Sequence, residues 1–127
     1  MRQAISTPRA PQAIGPYSQA IDCGELVFLS GQIGLDPSTG RLVSGGMEAE
    51  TEQILQNLKA VLEAAGLGFD AVVRTTIYLV DLADFGRVNE LYGRYFHAPF
   101  PARVTVGVAS LPRGARVEID AVALRPH

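Results

Sequence analysis

Ala71-Val72-Val73-Arg74-Thr75-Thr76-Ile77-Tyr78-Leu79-Val80 reads as a β-strand rich in β-branched residues, and it is apolar on both sides. Successive side chains of a strand point to opposite faces. Val73, Ile77 and Leu79 are therefore expected on one face, and Val72, Tyr78 and Val80 on the other. Such a strand needs apolar cover on both sides of its sheet.

Helical patterns flank it. Residues 47–65 set Ile54, Leu55, Leu58, Val61, Leu62 and Ala65 on one stripe, with Glu48, Glu50, Glu52 and Gln56 off it. That is an amphipathic helix, and Gly66 suits its C′ position. On the other side Asp81 can cap a second helix, with Asp84 three residues on. Phe85, Val88, Leu91, Tyr92, Tyr95 and Phe96 then recur at helical spacing until His97-Ala98-Pro99, where the residue before a proline leaves the helical region. Further strands are expected at 17–21, 26–33, 104–109 and 116–124. Residues 1–16, with three prolines and Gly15, read as an extended arm. The order strand, strand, helix, strand, helix, strand, strand is an α+β layout, with two helices on one face of a mixed sheet.

The helices leave the second face bare. Val122 and Leu124 add to it opposite Ile119. At about 25 cal/mol per Å², keeping several such side chains wet forgoes several kcal/mol. Self-association is the expected remedy.

Chemistry concentrates near the end of the chain. In Pro101-Ala102-Arg103-Val104-Thr105-Val106-Gly107-Val108, the three valines are expected to face the core, turning Arg103, Thr105 and Gly107 the other way. Glu118, between Val117 and Ile119, projects away from an apolar face in the same manner. A fixed cation, a nearby acid and a glycine that permits close approach are the parts of a small-carboxylate site. Taken as pattern alone, Arg103 and Glu118 read equally well as solvated outer-face charges.

The 127 residues suit one domain over 1–127, and a hydrophobic share of 47% is ordinary for a globular chain. A net charge of −2 with scattered basic residues gives no support to nucleic-acid binding. The single cysteine, Cys23, admits no intrachain disulfide, suits a reducing cytosol and reads as a small buried hydrophobe. His97 and His127 are the only histidines, too few for a zinc-type cluster. No stretch approaches a membrane span, and the N-terminus lacks a signal-peptide core, so the expected location is the cytoplasm. Asp36 and Asp120 read as turn and surface acids, and Gly45-Gly46 as a flexible lead into the helix.

Four spaced motifs carry a resemblance. They are Ala13-Ile14-Gly15-Pro16-Tyr17-Ser18-Gln19-Ala20; Ser30-Gly31-Gln32-Ile33; the helix end 57–66 with Asp81-Leu82-x-Asp84-Phe85 to Asn89; and Pro101-Ala102-Arg103-Val104-x-Val106-x-x-Ala109-x-Leu111 followed by Val117-Glu118-Ile119. Together they resemble the Rid family (RidA/YjgF), the reactive-intermediate imine deaminases, from about Pro11 to Arg125. The resemblance implies a bacillus-type chorismate-mutase-like fold. That is a mixed six-stranded sheet with two helices on one face, assembled as a homotrimer around a central β-barrel, with sites between subunits. It implies hydrolysis of 2-imino acids or their enamine tautomers (2-aminoacrylate/2-iminopropanoate, 2-iminobutanoate) to 2-keto acids and ammonia. It further implies Arg103 as the carboxylate anchor and Glu118 as the group that handles water and its proton. Tyr17, Ser30, Gly31, Asn89 and Thr105 are implied as substrate-binding residues, with Tyr17 and Ser30 from a different subunit than Arg103.

The imine carbon is already electrophilic, so no cofactor and no metal are expected, nor a nucleic-acid or membrane partner. Thr105 stands where many members have cysteine, which removes the basis for a thiol-centred role. Two alternatives share the same arginine: a non-catalytic trimeric module that binds small keto or imino acids, and a deaminase of a larger, aminomuconate-type enamine.

Overall fold

The structure is a computed structural model and describes residues 2–126; Met1 and His127 lie outside the described residues. Six strands, β1 (Gln3–Ile5), β2 (Ala20–Asp22), β3 (Leu26–Gln32), β4 (Val72–Leu79), β5 (Ala102–Gly107) and β6 (Val117–Leu124), form one sheet in the order β1-β2-β3-β6-β4-β5. All neighbours are antiparallel except β4 and β5, which run parallel. Helices α1 (Gly46–Ala64) and α2 (Phe85–Tyr92) pack on one face. The mixed six-stranded α+β sheet agrees with the fold expected from the resemblance. Its sixth strand, β1, lies inside what the residue pattern reads as an extended arm; a three-residue edge strand is too short to show periodicity.

The core lies between the helices and the covered face. Ile54, Leu55, Leu58, Val61 and Leu62 of α1 are buried against Val27 and Leu29 of β3 and Ile119, Ala121 and Ala123 of β6. Gly66 ends α1 as expected: at φ 76 it takes the left-handed conformation, and the Leu67 amide donates to the Leu62 carbonyl at 2.8 Å. The second helix is shorter than its apolar spacing predicts. Asp81 caps the turn before it, accepting from the Ala83 amide at 2.9 Å. After Tyr92 the chain reaches Gly93 and tightens, with Arg94 and Tyr95 bonding the carbonyls three residues back. The helix therefore ends before His97-Ala98-Pro99.

Two bulges decide which side chains point where. One falls between Val72 and Arg74. It returns Val72 to the covered face with Thr75, Ile77 and Leu79, and leaves Val73 41% exposed, reversing the assignment that strict alternation gives those two valines. The other falls between Leu29 and Gln32, where Ser30 and Gly31 together span the gap opposite β6.

The other face of the sheet is open in the protomer. Phe28, Leu124, Val104 and Val106 lie on it exposed. Val104 and Val106 are thus turned away from the core, contrary to the expectation for that run. Cys23 is exposed in the β2–β3 turn and is not a buried hydrophobe. Asp36 is a turn acid as read, accepting from the amide and hydroxyl of Ser38. Asp120 instead sits half-buried on the open face and accepts from the Tyr78 hydroxyl at 2.9 Å. No helix among the described residues is long and apolar enough to cross a membrane.

Candidate active site

Glu118 lies on β6 opposite Tyr78 of β4, so it projects from the open face. Burial, and behind it the charge of Asp120, raises its carboxyl above the ordinary glutamate value of 4.5. The bulge in β3 brings Gly31 against it. A Cβ at Gly31 would overlap the Glu118 carboxylate outright, and would stand 3.0 Å from Cδ and 3.2 Å from Cγ. Only glycine leaves room for this approach.

Glu118 and Gly31 share a cleft of about 490 Å³ with Tyr17, Ser30, Ile14 and Arg113. Tyr17 is exposed at its rim, and its hydroxyl accepts from the Ile14 amide at 3.3 Å. The Ser30 hydroxyl is committed to the Ser18 carbonyl at 2.6 Å, so Ser30 fixes the wall.

Arg103 stands elsewhere. β5 is an edge strand, and its register with β4 sets Arg103 beside Thr75 and Thr105 beside Ile77, on the covered face. The guanidinium carbon lies 5.1 Å from the Tyr92 ring centroid and 5.5 Å from that of Phe85. Tyr92 is held by a hydrogen bond of 2.8 Å between its hydroxyl and that of Thr75. Arg103 is half-buried and belongs to none of the ion pairs among the described residues. Nearby in sequence and fold, the Thr105 hydroxyl and Asn89 Oδ1 are buried with no hydrogen-bond partner, as is Asp84 Oδ2. Buried polar atoms without partners are uncommon in a native structure. Of the three, only the Thr105 hydroxyl can donate; Asn89 Oδ1 and Asp84 Oδ2 are acceptors. Gly107 serves packing here: a Cβ there would press on Leu82 at 3.1–3.2 Å.

The seven expected site residues therefore fall into two groups. Glu118, Gly31, Ser30 and Tyr17 share the cleft; Arg103, Thr105 and Asn89 gather at the β5 edge. Arg103 and Glu118 point from opposite faces of the sheet, with β4 between their strands and a backbone separation of about 10 Å at the usual strand spacing. One protomer does not bring the cation and the acid together. Phe85 and Tyr92, which hold the guanidinium, read in the sequence only as apolar helix positions; the aromatic types at that spacing were the available signal. Among the described residues no three His, Cys, Asp or Glu stand together as metal ligands.

A family model described as endoribonuclease L-PSP matches residues 7–125. The chain is 59% identical to protein DfrA of Myxococcus xanthus, over 97% of this chain and 95% of that one. It is 54% identical to the 2-iminobutanoate/2-iminopropanoate deaminase of Mus musculus, over 98% and 93% of the two chains. The crystal structure of RidA from an Antarctic Psychrobacter species superposes with a TM-score of 0.94 at 44% identity, covering 97% of this chain and 99% of that one.

Proposed function

The chain belongs to the endoribonuclease L-PSP family, the Rid (RidA/YjgF) family, and on that premise we propose that it is a hydrolytic 2-imino acid deaminase whose sites form between copies. Its substrates are 2-iminopropanoate and 2-iminobutanoate with their enamine tautomers, and its products are the 2-keto acids and ammonia. Relatives about 50% identical bear the name of this activity. The observation that carries the reading is the Arg103 guanidinium, half-buried between two rings and without an acid partner.

In this reading the planar fork of Arg103 holds the substrate carboxylate. Thr105 and Asn89 supply further polar contacts beside it. Glu118 of a neighbouring copy takes a proton from water as the oxygen adds to C2 and passes it to the nitrogen; it then carries the proton of the new hydroxyl to the nitrogen as the C=O forms, the C–N bond breaks and ammonia leaves. Its raised proton affinity suits both transfers. Covering the open faces of the sheets, by three copies as in the fold the family implies, buries Phe28, Val104, Val106 and Leu124 and gives Arg103 an acid from next door. The net charge of −2 favours this reading over RNA cleavage. A small metabolite substrate accords with a cytoplasmic location.

The test is complementation. Arg103→Ala and Glu118→Gln chains should each fail to compete with semicarbazide for imines released by an amino-acid oxidase. Refolded together in equal amounts, they should regain activity at about one quarter of the sites, where each neighbour supplies its intact residue. No regain from the mixture would refute a shared site. An unmodified chain that leaves semicarbazone formation unchanged would refute the deaminase.

A further inference from the structure

The motif at 13–20 contains a buried polar side chain that the reaction does not use. Gln19 is only 4% exposed and makes four hydrogen bonds to residues 7–11. Its Oε1 accepts from the Thr7 amide at 2.8 Å. Its Nε2 donates to the carbonyls of Thr7 at 3.1 Å, Ala10 at 3.3 Å and Pro11 at 2.8 Å. An amide nitrogen has two hydrogens, so three acceptors require one to be shared.

The pair with Thr7 reproduces the N–H and C=O exchange of a strand bridge. The β1–β2 ladder stops at Ile5 opposite Ala20. The Gln19 amide continues it through a side chain where the backbone has turned away. The segment that follows makes few backbone bonds; burial of Ala10 and Pro11 and an Arg9–Glu63 ion pair at 3.2 Å are further ties. Pro8, Pro11 and Pro16 offer no amide hydrogen. Bonds within it include Ala10 to Thr7 at 3.5 Å and Tyr17 to Gly15 at 2.9 Å. Yet this segment supplies Pro11, Gln12, Ile14 and Tyr17 to the wall of the cleft that contains Glu118.

We infer that Gln19 is a positioning residue of the site: its buried amide fixes the 7–17 segment so that Ile14 and Tyr17 form the substrate-holding wall. The kinetic consequence rests on the deaminase reading; the binding consequence does not. Loss of the clamp should weaken the hold on substrate and leave the chemistry of Arg103 and Glu118 intact.

Two variants test this. Gln19→Ala removes the clamp. Gln19→Glu keeps its shape and can still accept from Thr7, but faces three carbonyls with no hydrogen to give. In both, hydrogen exchange should lose protection at 7–17 and keep it in β3, α1 and β6. Both KM for the imine and Kd for 2-ketobutyrate should rise about tenfold or more, with kcat within about threefold of the unmodified chain. A loosened segment with unchanged Kd and KM overturns the inference, as does unchanged protection of 7–17 in both variants. If Gln19→Ala does not assemble, Gln19→Glu decides. If the unmodified chain binds 2-ketobutyrate without turning over imine, the deaminase reading fails, and the ratio of Kd values still judges Gln19.

Discussion

Gly31→Ala is a one-carbon change that should separate stability from activity. The new methyl would occupy the place of the Glu118 carboxylate, with Cδ and Cγ also inside ordinary contact at 3.0 and 3.2 Å. Restoring a normal carbon contact of about 3.5–4.0 Å displaces the carboxylate by more than about 1 Å. A misplacement of about 1 Å in a reacting group costs on the order of 10²-fold in rate, or about 2.7 kcal/mol of barrier. Stability responds differently. Gly31 is not among the glycines at positive φ, so alanine adopts its backbone without strain. Alanine restricts the unfolded chain by about 0.4–1 kcal/mol in favour of folding. Forcing Glu118 off its preferred rotamer costs about 0.5–1.5 kcal/mol. The two effects offset each other to within about 1 kcal/mol, so Tm should move by only a few degrees. Semicarbazide-competition kinetics and thermal unfolding on one sample make the comparison. Activity within about threefold of the unmodified chain would show that the carboxylate's place beside Gly31 does not matter. Loss of the fold would show that Gly31 serves packing first.

Glu118 binds its proton more tightly folded than unfolded, so the folded state holds the extra proton between the ordinary value of 4.5 and the raised one. Stability from this group is therefore lost as pH rises through that window, and Glu118→Gln should unfold at higher denaturant than the unmodified chain at pH 7. The same substitution should cost about 10²-fold or more in turnover, and the acid limb of the rate profile should vanish with it. Arg103→Lys keeps the charge but not the fork or the stacking on Phe85 and Tyr92; KM should rise about 10–100-fold with the assembly unchanged in sedimentation. Thr75→Val leaves the Tyr92 hydroxyl buried without its partner and should lower the unfolding free energy by about 1–3 kcal/mol in a urea titration.

Much of this protein is legible locally. The α1 stripe and its Gly66 terminus follow from 3.6-residue spacing and from a left-handed position that glycine fills. The strands expected at 26–33, 71–80, 104–109 and 116–124 follow from apolar patterning, with ends shifted by a residue or two; the one expected at 17–21 falls at Ala20–Asp22, and Gln3–Ile5 is too short to show a pattern. The residues proposed to bear the chemistry are also named by the motifs around Tyr17, Ser30, Arg103 and Glu118. Their grouping is not legible. Alternation along 102–107 sorts Arg103 from Val104, but it does not say which set meets the helices, because an open face that a second copy can cover is as apolar as a core. The bulges at Val73 and at Ser30-Gly31 then shift the alternation by one residue, which no local residue choice announces.

The chain alone thus determines its first helix, most of its strands and which side chains are candidates for the chemistry, since those depend on spacing and residue type. Tertiary structure decided that the guanidinium and the carboxyl leave the sheet on opposite faces. That outcome depends on strand order, register and bulges, which are set by pairings between residues far apart in the chain.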